Sequence, residues 1–443
     1  MSCPNNPAFG RSFKEGVLWT PSFFMYSCYI CCMMKRHTFC MKTAACVLAL
    51  AACVCAGARG PLRVAFVGDP QVDNETELGY ARASIYRELR ERGDLDLVII
   101  LGDLVNDDVR LLAPSKASLD SLPCPWASVP GNHDRDMYGK KKGQVVSLDG
   151  TVDEDRPRDM ASYSRIIGAP DTTFVTGGVR FILMDDVRLQ GKAHYEGGFR
   201  EDQKAWLRGV LAETPAEQLA VCCVHIPFHE FAAQDSLRTL LAAHPNLLLM
   251  CGHTHTAARF LTEIDGREVE EVLAGASCGT FWRGPKGPDG IPDALMGCGA
   301  PRGYYIADFS RKGYSLRFKA VGRQDGLSAW VKDGDRLVLN IYGGSSEGTA
   351  QVRYKGSGGW IDIPRKEEVA PEVLTGIARN RTLAKEGIRA SRNPEYIPLL
   401  TRKSPHTWSG KLPGSIAPDT EIRVRYRDRS MRFQERATVS AHP

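Results

Sequence analysis

"VAFVGDPQVD", residues 64–73, is a short apolar run that stops on glycine, aspartate, proline and glutamine. A run this short, rich in valine and phenylalanine, reads as a buried strand rather than a helix. A carboxylate and an amide at its end cannot enter a core unpaired, so they imply a task at the strand's rim. The same pattern returns in "LDLVIILGD" (95–103), "WASVPGNHD" (126–134), "LAVCCVHIP" (219–227) and "NLLLMCGHTH" (246–255).

Helical patterns separate these strands. In "ELGYARASIYRELRERG" (77–93) Leu78, Ala81, Ile85 and Leu89 fall on one face, and "EDQKAWLRGVLAE" (201–213) and "QDSLRTLLAAH" (234–244) are amphipathic in the same way. Strands alternating with helices from residue 61 to about 325 predict an α/β domain. In such sheets ligands sit beyond the carboxyl ends of the strands, so the polar clusters are expected on one rim.

The clusters supply Asp69, Gln71, Asp103, Asn132, His133, Asp134, His225, His253 and His255. Hard carboxylate and amide oxygens mixed with imidazole nitrogens suit Mn, Fe or Zn, and a carboxylate shared between two ions would offset their repulsion. The ordered set D-x-Q, GD, GNHD, H, GHTH resembles the calcineurin-like metallophosphoesterase superfamily over residues 62 to about 322. The resemblance implies a four-layer αββα sandwich and two divalent or trivalent metal ions. It places Asp69, Gln71, Asp103 and His255 on one ion and Asp103, Asn132, His225 and His253 on the other, with Asp103 as the bridge. It also implies that a hydroxide held on the metals attacks a phosphate mono- or diester, that His133 assists the leaving oxygen, and that Asp134 orients His133. Gln71 departs from the commoner histidine, and its neutral amide predicts one tight and one looser metal site.

Beyond residue 328 the helical pattern gives way to short strands such as "RLVLNIYG" (336–343) and "EIRVRYRD" (421–428). In the latter Ile422, Val424 and Tyr426 alternate with arginines, one face inward and one in water. A small β-sandwich over 328–443, Ig-like, is expected to follow the catalytic domain of 61–325. The loop at 275–305, together with "SPHTW" (404–408) and "EIRVRYRD", resembles the bacterial subgroup that carries a C-terminal calcineurin-like phosphoesterase domain. Trp282 and Arg283 in that loop are expected to line the substrate approach, the guanidinium pairing with phosphate. Packing between domains is the equal alternative for both. Cys278 and Cys298 flank the loop at positions where an oxidising compartment would permit pairing.

The 443 residues are 43% hydrophobic and 25% charged, which excludes a disordered chain. Residues 1–60 carry six Lys or Arg and one Glu, which accounts for the whole formal charge of +5. The neutral remainder argues against a nucleic-acid partner; a phosphate-ester substrate is the partner expected. From Met41, "MKTAACVLALAACVCAGARG" has the layout of a secretory signal, so residues 1–60 read as leader, with the mature start near 53–59. Cleavage after Ala56-Gly57-Ala58 competes with a lipobox that would leave a lipid anchor on Cys53. Either way the protein is expected to be exported, to the periplasm or the cell surface. The rival to an enzyme is a binding module that keeps the metal fold while its β-domain holds a surface glycan.

Overall fold

The computed structural model describes residues 60–136, 160–190, 194–387 and 393–443, with the strand pieces Tyr138–Gly139 and Gln144–Val145. The leader and Cys53 lie outside the described residues. Residues 60–443 form one compact unit.

Strand Leu62–Val67 is buried from Val64 onward, as its composition requires, and pairs in parallel with Leu97–Leu101, which pairs in parallel with Trp126–Val129. Strands Gly303–Ser310 and Gly313–Ala320 extend this sheet antiparallel on the other side, giving five strands. A second sheet of six strands runs in the order Ala257–Ile264, Arg267–Ala274, Leu247–Cys251, Ala220–Cys223, Val179–Leu183 and Thr172–Thr176. Its central strands Leu247–Cys251 and Ala220–Cys223 are buried on both faces, which is why they read as unbroken apolar runs. Phe181, Leu183, Val221, Cys223, Leu248 and Met250 point into a core shared with the first sheet. Their alternates Ile182, Cys222, Leu249 and Cys251 pack instead with Leu207 and Leu211 of helix Glu201–Glu213 and Leu237, Leu240 and Leu241 of helix Gln234–Leu241. Two sheets packed face to face with helices outside are thus the mixed α/β arrangement the sequence predicts.

The face Leu78, Ala81, Ile85, Leu89 is buried throughout, but the element is two helices, Glu75–Ala83 and Ile85–Glu91. The break falls at Ser84, whose backbone leaves the helical region and whose hydroxyl turns back to the Tyr80 carbonyl at 2.7 Å. At the other end Asn74 Oδ1 accepts from the Glu77 amide at 3.0 Å, while Glu77 Oε2 accepts from the Asp73 amide at 2.8 Å. This reciprocal cap fixes where the chain leaves the rim after Gln71.

Register aligns the strand ends. Val67 stands opposite Ile100 and Leu101 opposite Val129 in the first sheet; Cys223 stands opposite Met250 in the second. Gly68-Asp69, Gly102-Asp103, Gly131-Asn132, His225 and Gly252-His253 therefore leave the sheets at one rim.

The C-terminal strands differ from an Ig-like pair of sheets. They form one seven-stranded sheet in the order Ile361–Ile363, Thr349–Tyr354, Glu421–Arg427, Arg432–Ala441, Leu327–Lys332, Arg336–Ile341, Thr407–Lys411. The ten-residue strand Arg432–Ala441 joins its halves, antiparallel to Glu421–Arg427 and parallel to Leu327–Lys332. The sheet curls until its ends meet: Arg365 bridges Trp408, and the Ser409 amide donates to the Pro364 carbonyl at 2.9 Å. Ile422, Val424 and Tyr426 face inward and the intervening arginines outward, as the alternation predicts. Helix Pro371–Lys385 opens on proline at its first turn, where the missing N–H costs nothing.

This module is bolted to the α/β part through Arg259. Its buried guanidinium donates to Gly343 O at 2.6 Å, Glu270 Oε1 at 2.7 Å and Ser430 Oγ at 2.6 Å, and pairs with Asp428.

Candidate metal centre

All seven predicted ligands converge. Five of them, Asp69, Gln71, Asp103, His253 and His255, have positive φ, between 39° and 69°. Left-handed backbone at a non-glycine residue costs about 1 kcal/mol or more, so surrounding structure must enforce it. The enforcement comes from hydrogen bonds at the rim: Gln71 N donates to Asp103 O at 2.7 Å, His133 N to Asp103 Oδ1 at 2.9 Å, and His253 N to both Asp69 oxygens at 3.1 Å.

The turn at His253 and His255 is therefore made without left-handed backbone at Gly252. The two histidines take the left-handed conformation themselves and splay, His253 beside His225 at 4.9 Å between ring centres and His255 beside Phe281 at 4.8 Å. Gly252 is needed for room: a Cβ there would lie 2.8 Å from Asp69 Oδ2 and from Leu101 O. Gly131 is tighter still, its Cβ position only 2.0 Å from Asp103 Oδ1.

His225 Nδ1 lies 2.8 Å from the Leu101 carbonyl, so that nitrogen carries a proton and Nε2 is turned inward, where it would ligate once a metal displaced its own proton. Around Nε2 stand Asn132 Oδ1 at 3.0 Å, His253 Nδ1 at 3.1 Å and Asp103 Oδ2 at 3.3 Å. Two oxygens that only accept and two imidazole nitrogens thus face one another in a buried space, a donor set that suits a cation at its centre. Asp103, His225 and His253 have the spacing of a metal site. On the other side of Asp103, His255 Nδ1 is committed to the Gly279 carbonyl at 2.7 Å, which aims Nε2 at Asp69 Oδ1, 3.8 Å away. Gln71 lies in this half, its amide Nε2 donating to Asp103 Oδ2 at 3.3 Å and its Oε1 3.9 Å from Cys278 Sγ.

Electrostatics pair one ionised carboxylate, Asp103, with one charged imidazole, His225. Burial and the neighbouring Asp103 push the Asp69 carboxyl well above the usual range. Burial also opposes ionisation of Asp103, yet His225 and His133 hold it below that range. Burial works against a charged His225, but Asp103 outweighs it and raises the imidazole to about 10. Burial keeps His253 and His255 neutral, down to about 3 and about 4, which is the ligating form.

His133 lies at the mouth of the cluster, its side chain 28% exposed. The partner of its ring is Asp107, not Asp134: His133 Nδ1 and Asp107 Oδ1 are 2.6 Å apart. Asp134 is fully buried and accepts from the backbone amides of Gly131 at 2.9 Å and Val105 at 3.0 Å, holding the loop rather than the ring. Burial and Asp103 raise Asp134 to about 6.

The pocket over the cluster has a volume of about 410 Å³. Gln71, Asp103, His133, His253 and His255 line it, with Thr254, whose buried hydroxyl has no hydrogen-bond partner among the described residues. Trp282 and Arg283 do not. Trp282 is 3% exposed, donates to the Pro70 carbonyl at 2.9 Å and stacks between Tyr80 and Arg302. Arg283 reaches away, to the Asn393 carbonyl at 2.8 Å. The aromatic wall is the preceding residue, Phe281, 42% exposed. Cys278 and Cys298 are both buried and unpaired. Among the pocket residues that no motif signals are Phe281, Arg402 and Lys403. Asp107 had one, its place four residues after Asp103 in "GDLVND".

Two family models match consecutive parts of the chain: calcineurin-like phosphoesterase over residues 62–257, and the C terminal of calcineurin-like phosphoesterase over residues 271–432. The chain belongs to the calcineurin-like metallophosphoesterases that carry this C-terminal domain. Among solved structures it is similar to a phosphopantetheinyl hydrolase from Mycobacterium tuberculosis, at 14% identity and a TM-score of 0.31, over 49% of this chain and 91% of that one. No curated protein sequence matches it.

Proposed function

We propose that this phosphoesterase-family protein hydrolyses a phosphate mono- or diester with two divalent or trivalent ions, one held by Asp103, Asn132, His225 and His253 and the other by Asp69, Gln71, Asp103 and His255. The observation that carries the reading is the convergence of Asp103 Oδ2, Asn132 Oδ1 and His253 Nδ1 on His225 Nε2, each within 3.3 Å of it. When bound, the ions would supply charge for the transferring phosphoryl oxygens and acidify a water. The residues around them divide the remaining work. Asp103 serves two groups: its Oδ1 fixes the His133 backbone while Oδ2 faces the ligand cluster, so the proton-bearing group and the ligands share one support. Asp107 holds the His133 ring with Nδ1 inward, leaving Nε2 to meet the ester. That nitrogen is placed to hold a proton for the leaving oxygen.

The same reading includes export of the mature chain, supported by the apolar segment after Met41; N-terminal sequencing of secreted protein would give a start between residues 53 and 59. The central test is hydrolysis of p-nitrophenyl phosphate and bis-p-nitrophenyl phosphate with Mn, Fe or Zn, beside elemental analysis of the purified protein. Bound metal with turnover that Asp103→Asn abolishes supports the reading. A protein that binds no metal and turns over neither ester with any of the three overturns it.

A further inference from the structure

The pocket over the ligand cluster is closed on one side by the C-terminal module. Pro398, Arg402, Lys403 and Pro405 line it together with Phe281 and the cluster itself. Arg402 and Lys403 are exposed, and neither side chain has an ion-pair or hydrogen-bond partner among the described residues.

Their backbone, in contrast, is held firmly. Before them, Ile397 and Leu399 are buried in a small apolar cluster with Leu295, Ala370 and Val373. Asn380 clasps the Ile397 backbone from helix Pro371–Lys385, donating to its carbonyl at 2.6 Å and accepting from its amide at 3.2 Å. After them, Ser404 is fully buried and its amide donates to Glu368 O at 2.9 Å, while Arg365 donates to the Pro405 carbonyl at 3.0 Å. Two adjacent cations without partners, carried on a loop fixed at both ends, are therefore presented into a pocket whose floor is the candidate metal centre. Unpaired cations on a clamped loop lose little side-chain or loop entropy beyond their own when an anion arrives. Metal ions would already neutralise the transferring phosphoryl group, so this second pool of positive charge is free for another anion.

Resting on the phosphoesterase reading, we propose that Arg402 and Lys403 form a second anion subsite, and that the substrate is a phosphate ester whose non-transferred part carries an additional anionic group. Phe281, exposed on the same wall, gives the intervening part of that group an apolar surface. Specificity then resides in the C-terminal module, and the chemistry in the α/β domain.

The test uses two esters of equal shape and different charge, 4-carboxyphenyl phosphate and 4-carbamoylphenyl phosphate, with metal-loaded wild type and Arg402→Gln/Lys403→Gln. Wild type is expected to favour the carboxylate by about tenfold in kcat/KM, mostly through KM, because a charge-assisted contact is lost with the amide. The double variant should lose that preference, its kcat/KM falling about tenfold further on the carboxylate than on the carbamoyl ester; Arg402→Glu/Lys403→Glu should invert it. Both residues are exposed, so these variants fold. Ligand-detected NMR of 4-hydroxybenzoate against 4-hydroxybenzamide, with metal-free protein, gives a readout independent of turnover. Equal kcat/KM for the two esters in wild type, or an equal loss on both in the double variant, overturns the subsite. Failure to hydrolyse either ester while the benzoate still binds in an Arg402- and Lys403-dependent way overturns the phosphoesterase reading and leaves the subsite standing.

Discussion

Asp107 and Asp134 show what a motif can and cannot tell at the scale of single residues. "GNHD" places Asp134 beside His133 in sequence, and adjacency suggested the pairing. At a tight turn adjacent side chains diverge, and Asp134 goes to backbone amides while Asp107, across the rim, meets the ring at 2.6 Å. Asp107→Asn should lower kcat about 10- to 100-fold with metal content unchanged, since the imidazole loses its charged partner. Asp134→Asn should chiefly lower thermal stability; a larger kcat loss there than at Asp107 would reverse the assignment. Gln71 was legible as an oddity but not as a contact. Its amide meets Asp103 Oδ2 at 3.3 Å, beside the His255 half of the cluster. Gln71→His should tighten the ion of that half, read as the chelator concentration needed to strip it; equal stripping in both forms would remove Gln71 from the ligand set. Trp282 was misplaced by one position in the chain. Both it and Phe281 have positive φ, and that reversal turns Phe281 outward and Trp282 onto Pro70.

Strands and their polar ends were readable at the scale of elements because burial on both faces writes itself as an apolar run. The helix break at Ser84 was not, since serine tolerates a helix and only its bond to Tyr80 O gives the break away. Nor was the closure of the C-terminal sheet, which depends on pairing between residues 365 and 408 that no local pattern records. The strand at that seam, Thr407–Lys411, is entered through His406, which is fully buried, with Nδ1 2.6 Å from Asn340 Oδ1 and Nε2 unpartnered among the described residues. Burial, with Arg365 adding in the same direction, holds His406 at about 4. The unfolded chain therefore takes up this proton first as pH falls. Stability should be complete above about pH 6.5 and decline toward pH 4, by on the order of 3 kcal/mol from this residue. Urea unfolding of wild type and His406→Gln across that window should give a difference that shrinks on acidification; a constant difference would show His406 silent.

The whole molecule is where sequence reading reached least far. Both domains were legible, each from its own periodicity, but not the fact that the second completes a wall of the first's pocket. Long-range pairs such as Arg259 with Asp428 leave no spacing to recognise. Arg259→Ala should cost about 3–5 kcal/mol, because Glu270 and Asp428 would be left buried beside each other without their cation. Chemical unfolding monitored by tryptophan fluorescence measures this, and a loss below 1 kcal/mol would mean the cluster rearranges to reach water.

The same cluster sets a clock on the ribosome. Arg259 emerges some 170 residues before its partner Asp428, which stands 169 positions further along the chain. Through that interval every ligand of the metal cluster has been synthesised, yet a buried guanidinium on the strand that follows His255 has only Glu270 of its two carboxylate partners. A chain stopped short of residue 428 should accordingly be vulnerable to proteases despite its complete set of ligands, and the last strands to leave the ribosome are those that let the first ones settle.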